Sequence, residues 1–356
     1  MSDLKYIPII GDKQAELHAL ASLPAQCRTL MLPLVDLRNP RRPDNARPTW
    51  TPESILTKRL TDPADGILGC WGSDEEVMID GRQLDPRVFD LRTHPLDYAM
   101  QRCADAGLRV VVVTSRQRSA EYRQAAARWV RHFGGRAAIR LRDQDLFAGN
   151  DGAAVLLREL DLPKSSVDLV LDLQHVDANS TFMTSSTALG CIERLAPLTS
   201  WHSVSLVAGS FPAELSKVMG YNDLAVFPRA ERMVWLQVDA GRSGSDQVRF
   251  GDYGILMAGD QDETPYPGSA NLRYTDTTTW LVKRGFSRKK AASDDYARLS
   301  AELVELDVWR GANHCEGCGF LAERARAGRG GNPTQYRRAG FIHHFTSVAE
   351  ELSPAA

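Results

Sequence analysis

Residues 108–141 read LRVVVVTSRQRSAEYRQAAARWVRHFGGRAAIRL. Two apolar runs, Leu108–Thr114 and Ala137–Leu141, flank a segment of helical character, Ser119–Phe133. The four valines at 110–113 show no polar/apolar alternation. That is the pattern of a strand buried on both faces, as parallel sheets covered by helices require. Ser119 stands where an N-cap is expected, and Gly134-Gly135 where a helix stops. The stretch therefore reads as one strand–helix–strand unit.

The same alternation extends in both directions. Apolar, β-branched runs recur at Tyr6–Ile10, Leu30–Asp36, Val77–Asp80, Val167–Leu173, Val204–Ala208 and Tyr253–Met257, with helices expected at Asp151–Leu160 and Thr181–Leu195. Eight strands alternating with helices predict an α/β fold, a (β/α)8 TIM-like barrel over residues 1–285, rather than an open doubly wound sheet. No GxGxxG follows the first strand and no GxxxxGK[ST] occurs, so neither nucleotide-binding fingerprint is present. Ile67–Trp71 competes for the third strand, and Leu272–Lys283 reads as an additional one. From 286 to 356 the chain changes character: a basic stretch (Lys283–Lys290), a helix over Asp294–Trp309, then a tail rich in Cys, His, Gly and Arg. This predicts an appended C-terminal subdomain.

Composition narrows the class. The 356 residues carry 43 basic and 45 acidic side chains, a formal charge of −2, which excludes a uniformly basic nucleic-acid coat and leaves room for a local patch. No run approaches the roughly 18 apolar residues of a membrane span. The opening MSDLKYIPIIGDK is too short in apolar length for a signal peptide. The expectation is a cytoplasmic globular protein without a membrane partner. Cys27, Cys70, Cys103 and Cys191 stand singly among apolar segments and are expected to pack as small hydrophobes.

In such barrels binding and catalytic groups gather at the C-terminal ends of the strands. Those ends carry Lys13, Asp36, Asp80, Thr114 with Ser115, Arg140 with Arg142, Asp172 with Gln174, Gly209 with Ser210, and Asp252 with Tyr253. Carboxylates and cations sharing one mouth suit a polar, anionic ligand, because guanidinium forks grip phosphate while a carboxylate orients hydroxyls. Arg140 alternates with Ile139 and Leu141, so it would enter the lumen and pair with Asp172. Burying Asp172 unpaired inside its apolar run would be costly. Asp36, Asp80 and Asp172 could also act as catalytic oxygen ligands of a divalent metal. Against this, every βα unit has a polar residue where the chain leaves the core, and Asp36 could merely cap the turn into RNPRRPDNARP. No GxSxG, HExxH or paired-carboxylate signature names a reaction.

Two aromatic-rich stretches, FGDYGI (250–255) and LRYTDTTTWLVKRG (272–285), could form a stacking surface with Phe211 and Trp235. A β-hairpin with cross-strand aromatics is the simpler expectation. In the tail, His314, Cys315 and Cys318 lie together and His343-His344 follow 24 residues after Cys318. Cys315, Cys318, His343 and His344 are thus candidate zinc ligands. A reduced cysteine pair without metal and a redox dithiol are the other readings. Arg324, Arg326, Arg329, Arg337 and Arg338 between them could meet nucleic acid or another protein's acidic face, or form only a solvated loop.

YIPIIGDKQAELHAL, LPLVDL, FGDYGI and the closing GFIHH resemble the phage-type "beta protein" family, named for a satellite-phage beta protein. The resemblance covers most of the chain. It implies a setting in prophage or satellite-phage loci that carry antiviral defence genes, and directs interest to Lys13, Gln14, Asp36, Asp252, Tyr253, His343 and His344. It brings no catalytic roles. Three functions follow as expectations. One is a defence- or toxin-control protein that recognises a phosphate-bearing ligand, a nucleotide or nucleic acid included, through Lys13, Gln14, Arg140, Arg142, Ser210, Asp252 and Tyr253. The second is a divalent-metal phosphodiesterase or nuclease-like hydrolase using Asp36, Asp80 and Asp172. The third is an interaction module whose Cys/His tail docks a companion defence or toxin protein.

Overall fold

The computed structural model describes residues 4–38, 51, 63–84, 93–242, 247–259, 269–286 and 295–353. Eight parallel strands close into a barrel. In order around the ring they are β1 (Tyr6–Gly11), β2 (Leu34–Asp36), β3 (Glu76–Asp80), β4 (Arg109–Thr114), β5 (Ala137–Leu141), β6 (Val167–His175), β7 (Ser203–Gly209) and β9 (Val248–Asp252), which pairs back onto β1. The intervening β8 (Asp223–Pro228) leaves the ring. It joins the hairpin of β10 (Asn271–Thr275) and β11 (Thr279–Arg284) in a separate antiparallel sheet of order β10-β11-β8.

Two expectations for strands are corrected. The eighth barrel strand is Val248–Asp252 and not Tyr253–Met257, because Tyr253 already turns into the loop that carries Gly254 at φ +56°. Ile67–Trp71 belongs to a helix, 63–71, whose Ile67 and Trp71 are four apart and both buried, a helical period rather than a strand's. The additional strand at Leu272–Lys283 is the β10–β11 hairpin, with Tyr274 facing Leu281 and Thr275 facing Trp280 across it. The proline-rich segment after Arg38 lies outside the described residues, as do the last four residues of the basic stretch.

Helices cover the ring. They are α1 (Gln14–Ala21), α2 (Ala25–Arg28), α3 (63–71), α4 (Pro95–Asp105), α5 (Ala120–His132), α6 (Gln144–Phe147), α7 (Gly149–Leu160), α8 (Thr181–Glu193), α9 (Leu215–Val218) and α10 (Ala230–Ala240). The punctuation around α5 is as expected. Ser119 Oγ accepts the Tyr122 amide at 3.1 Å, and Gly134 and Gly135 take φ of +95° and +80°, conformations that favour glycine. Beyond the hairpin come α11 (Asp295–Val304), α12 (Glu316–Ala327) and α13 (Pro333–Leu352). Helix α13 opens on a capping box between Asn332 and Gln335 and lies against α1 and β1. That is the place in the ring of a barrel's eighth helix. Among the described residues no helix is long and apolar enough to cross a membrane.

Strand alternation sorts the lumen into three levels. The middle is apolar: Ile7, Ile9, Leu34, Met78, Val111, Val113, Ala138, Val170 and Val207 form one buried cluster. Below it, at the N-terminal ends, Arg136 bonds Asp168 at 2.8 Å and also Glu76, while Arg249 lies 3.6 Å from Asp168. Above it, at the C-terminal ends, lies a second ionic layer. Conserving closure at the bottom is a matter of stability; the top is where this fold places its chemistry.

Candidate functional site at the barrel mouth

Arg140 organises the upper layer. It rises from the fourth position of β5, inward by strand parity, and is completely buried. Its Nη1 donates to Asp36 Oδ1 at 2.7 Å and Asp80 Oδ2 at 2.9 Å. Its Nε donates to Asp172 Oδ2 at 3.0 Å, and Nη2 to the Tyr253 hydroxyl oxygen at 3.0 Å. Tyr253 in turn donates to Asp172, 2.7 Å away. Strands β2, β3, β5 and β6 and the loop after β9 thus meet on one guanidinium. The expected Arg140–Asp172 pairing is present, and two further carboxylates share it.

Two more arginines reach the cluster from outside. Arg118, in the loop between β4 and α5, donates to both oxygens of Asp80 at 3.0 and 2.9 Å. Arg142 Nε stands 3.2 Å from Asp172, and its Nη2 bonds Gln174. Three guanidinium groups therefore balance three carboxylates, and burial without such pairing would be prohibitive. The side chains of Arg118 and Arg142 remain 10% and 12% exposed at the mouth, whereas Arg140 has no exposure. Arg118 Nε is enclosed without a hydrogen-bond partner.

Burial pushes Asp36 above the usual carboxylate range, Asp80 adding to the effect against Arg140. Burial acts the same way on Asp80, but Arg118, Arg140 and Arg82 outweigh it and hold that carboxyl low. Tyr253 is driven well above an ordinary phenol by burial and by Asp172, so it stays protonated and donates. Asp36, inclined to take a proton, also borders open space.

That space is a small open cleft, with a cavity volume of about 50 Å³, on the β1, β2 and β9 side of the mouth, lined among others by Gly11, Lys13, Glu16, Asp36, Arg38 and Tyr253. Arg38 pairs with Asp12 at 3.2 Å. Glu16 is buried, accepts the Gly11 amide, and is pushed by burial from 4.5 to about 7. A carboxyl near neutrality facing a cleft can exchange protons at working pH.

The expected residues divide by the side of the wall they face. Lys13, Asp36 and Tyr253 line the cleft, and Asp80, Arg140, Arg142 and Asp172 lie beside it in the ionic layer. Gln14 is exposed at the start of α1. Ser210 and Asp252 face outward, because both sit at the opposite parity of their strands. Ser210 Oγ accepts from Trp280 Nε1 at 3.0 Å and bonds Glu231, which pairs with Arg229. Asp252 accepts from Tyr6 at 2.6 Å and lies 2.9 Å from His344 Nε2, between the barrel wall and α13. Both leave the mouth and join a buried polar seam under the last helix. Burial raises Asp252, but His344, the Tyr6 hydroxyl and the Gly254 amide together hold it below its ordinary value.

The three aspartates do converge, yet the cation among them is Arg140. Their oxygens are engaged by guanidinium groups. Among the described residues they do not form a set of ligand atoms within 4.8 Å of one another, a condition that His314, Cys315 and His343 alone meet. The donor set does not fit a divalent metal. His344, expected as a zinc ligand, is committed instead to Asp252 and to Thr275 Oγ1 at 2.9 Å.

Sequence reading missed Glu16, Arg38 and Arg118. Glu16, three residues after Lys13 in the first turn of α1, looks like a helix-capping glutamate. Arg118 is one of two arginines in SRQRS, and nothing local distinguishes it from Arg116. No curated protein matches this chain. A family model described as "Beta protein" matches residues 6–350, and the chain belongs to that Beta protein family.

Proposed function

We propose that the barrel mouth is a recognition site for a phosphate-bearing ligand. The observation that carries the reading is the pair Arg118 and Arg142. Each is held by a buried aspartate while its side chain keeps about a tenth of its exposure, 10% for Arg118 and 12% for Arg142. A fork pre-oriented by a carboxylate loses little freedom on gripping phosphate, which is how arginine sites gain strength and geometry. Lys13 and Arg38 line the adjoining cleft and add cationic side chains to that side of the mouth. Arg140 is the positioning residue: buried beyond reach of solvent, it fixes the aspartates that aim the other two. A setting in prophage or satellite-phage loci with antiviral defence genes, which the resemblance implies, would make nucleotide or nucleic-acid phosphate the source, with a companion defence or toxin protein as the partner to seek.

The test is calorimetric titration of the full chain with inorganic phosphate, pyrophosphate and nucleoside triphosphates, repeated for Arg118→Ala and Arg142→Ala. Each lost charge-assisted bond corresponds to about 1.5–3 kcal/mol, or at least tenfold in affinity. Binding that both variants retain at full strength, or no binding of any of these anions, overturns the proposal.

A further inference from the structure

The mouth leaves a cluster of reactive side chains unused, where the start of α12 meets the middle of α13. Cys315 is the N-cap of α12, and its Sγ accepts the Cys318 amide at 3.3 Å. This N–H to sulfur bond orients a CxxC pair so that both thiols face one side. Helix α12 crosses α13 closely at Gly317, where any Cβ would strike the Ala339 carbonyl oxygen. The crossing brings the pair to His343, whose Nδ1 lies 3.3 Å from Cys318 Sγ. His314 completes the group, its ring centroid 5.2 Å from that of His343.

The orientation of His343 is informative. Its Nε2 lies 2.8 Å from the Thr275 carbonyl oxygen, which only an N–H can satisfy. The proton is therefore on Nε2, and Nδ1 presents its lone pair to the cysteines. A histidine whose far nitrogen donates to a backbone carbonyl is the arrangement that metal-binding imidazoles adopt. Tyr274 stacks on the ring with centroids 3.8 Å apart and locks its plane.

We infer that His314, Cys315, Cys318 and His343 form a structural zinc site. Zinc bound tetrahedrally at about 2.3 Å from sulfur and about 2.0–2.1 Å from nitrogen places those donors about 3.6 Å apart. The 3.3 Å between Cys318 Sγ and His343 Nδ1 is close to that edge. Ligand atoms of His314, Cys315 and His343 all lie within 4.8 Å of one another; Cys318 Sγ stands outside that set of three and joins it through His343, so it would have to shift toward His314 to complete the tetrahedron. The two thiols and two imidazoles fill four positions, so the site is of the closed, structural kind with no place for substrate. Successive helical residues point about 100° apart, which explains why His343 faces the cysteines while His344 reaches the barrel wall. The ion would tie α12 to α13 and, through Thr275, to the hairpin.

The experiment uses the full chain, stripped of metal under reducing conditions and titrated with cobalt(II) alone. The expected result is saturation at about one cobalt per chain, with the visible bands of tetrahedral, thiolate-bound cobalt, and their loss when zinc is added. Cys315→Ser and Cys318→Ser should weaken cobalt binding more than tenfold, while Cys191→Ser, in α8, leaves it unchanged. Because the primary reading is on the unaltered chain, poor folding of a variant does not decide the matter. A chain that is folded by circular dichroism but shows no thiolate–cobalt bands overturns the inference. So does mass spectrometry that finds the reduced, zinc-exposed chain free of metal and the two thiols instead joined in a reversible disulfide.

Discussion

Replacing Arg140 by methionine keeps most of the side-chain length and removes the charge. Asp36 loses its 2.7 Å partner, Asp80 and Asp172 each lose one of their cations, and Tyr253 loses the donor to its hydroxyl oxygen. Deleting one member of a buried ion pair costs about 3–5 kcal/mol. Arg118 remains on Asp80 and Arg142 beside Asp172, so the loss should stay within that range and not triple. Asp36 bears most of it. With Arg140 gone and the weaker pull of Arg82 left, its folded carboxyl titrates further above the unfolded value near 3.9, so ionising it costs stability as pH rises through that interval. The deficit against the native chain is therefore largest at pH 7.5 and shrinks by about 1–2 kcal/mol at pH 5, where Asp36 is protonated. Urea denaturation followed by circular dichroism at both pH values measures this. A variant with native midpoints, or a deficit that grows on acidification, would refute the account of Arg140 as the cation that holds the layer together.

Three other outcomes follow from the geometry. Glu16 titrates at about 7 in place of 4.5, so its ionisation opposes folding above neutrality. Glu16→Gln should be about 1–3 kcal/mol more stable than the native chain at pH 8.5, the gap falling below about 1 kcal/mol at pH 5; a gap that widens at pH 5 rejects this. Because Glu16 faces the cleft, pyrophosphate binding measured by calorimetry should tighten from pH 8 to pH 6 in the native chain and lose that dependence in Glu16→Gln. Gly251→Ala would put a Cβ 2.8 Å from the Ile7 carbonyl oxygen inside the barrel wall, and thermal unfolding should show a loss of about 1–3 kcal/mol.

The barrel was legible because its strands are buried on both faces. VVVV at 110–113 and LVLDL at 169–173 have no exposed side to interrupt them. The eighth strand was misplaced because VRFGD carries Arg, Gly and Asp, each there for a reason that period alone does not reveal. Arg249 enters the lower ionic layer, Gly251 permits the close approach to Ile7, and Asp252 turns outward to His344. Strand β8 was not seen because its half-exposed residues pair with a hairpin distant in sequence. At the mouth, parity on β5 and β6 correctly sent Arg140 and Asp172 inward. Nearness to a strand end groups Ser210 and Asp252 with them, but successive side chains face opposite sides of the wall. Glu16 and Arg118 act through neighbours that only folding supplies. In the tail, the cysteine spacing was readable, but His343 and His344 could be told apart only by the helix that carries them.

The most direct test of the anion-binding mouth is crystallographic. Crystals of the full chain grown with tungstate, a heavy phosphate analogue, would be measured for anomalous scattering. The account predicts a peak within hydrogen-bonding distance of the Arg118 and Arg142 guanidinium groups, with Arg140 still enclosed by Asp36, Asp80 and Asp172. An empty mouth with tungstate bound elsewhere, or an Arg140 that has left the aspartates, would contradict it.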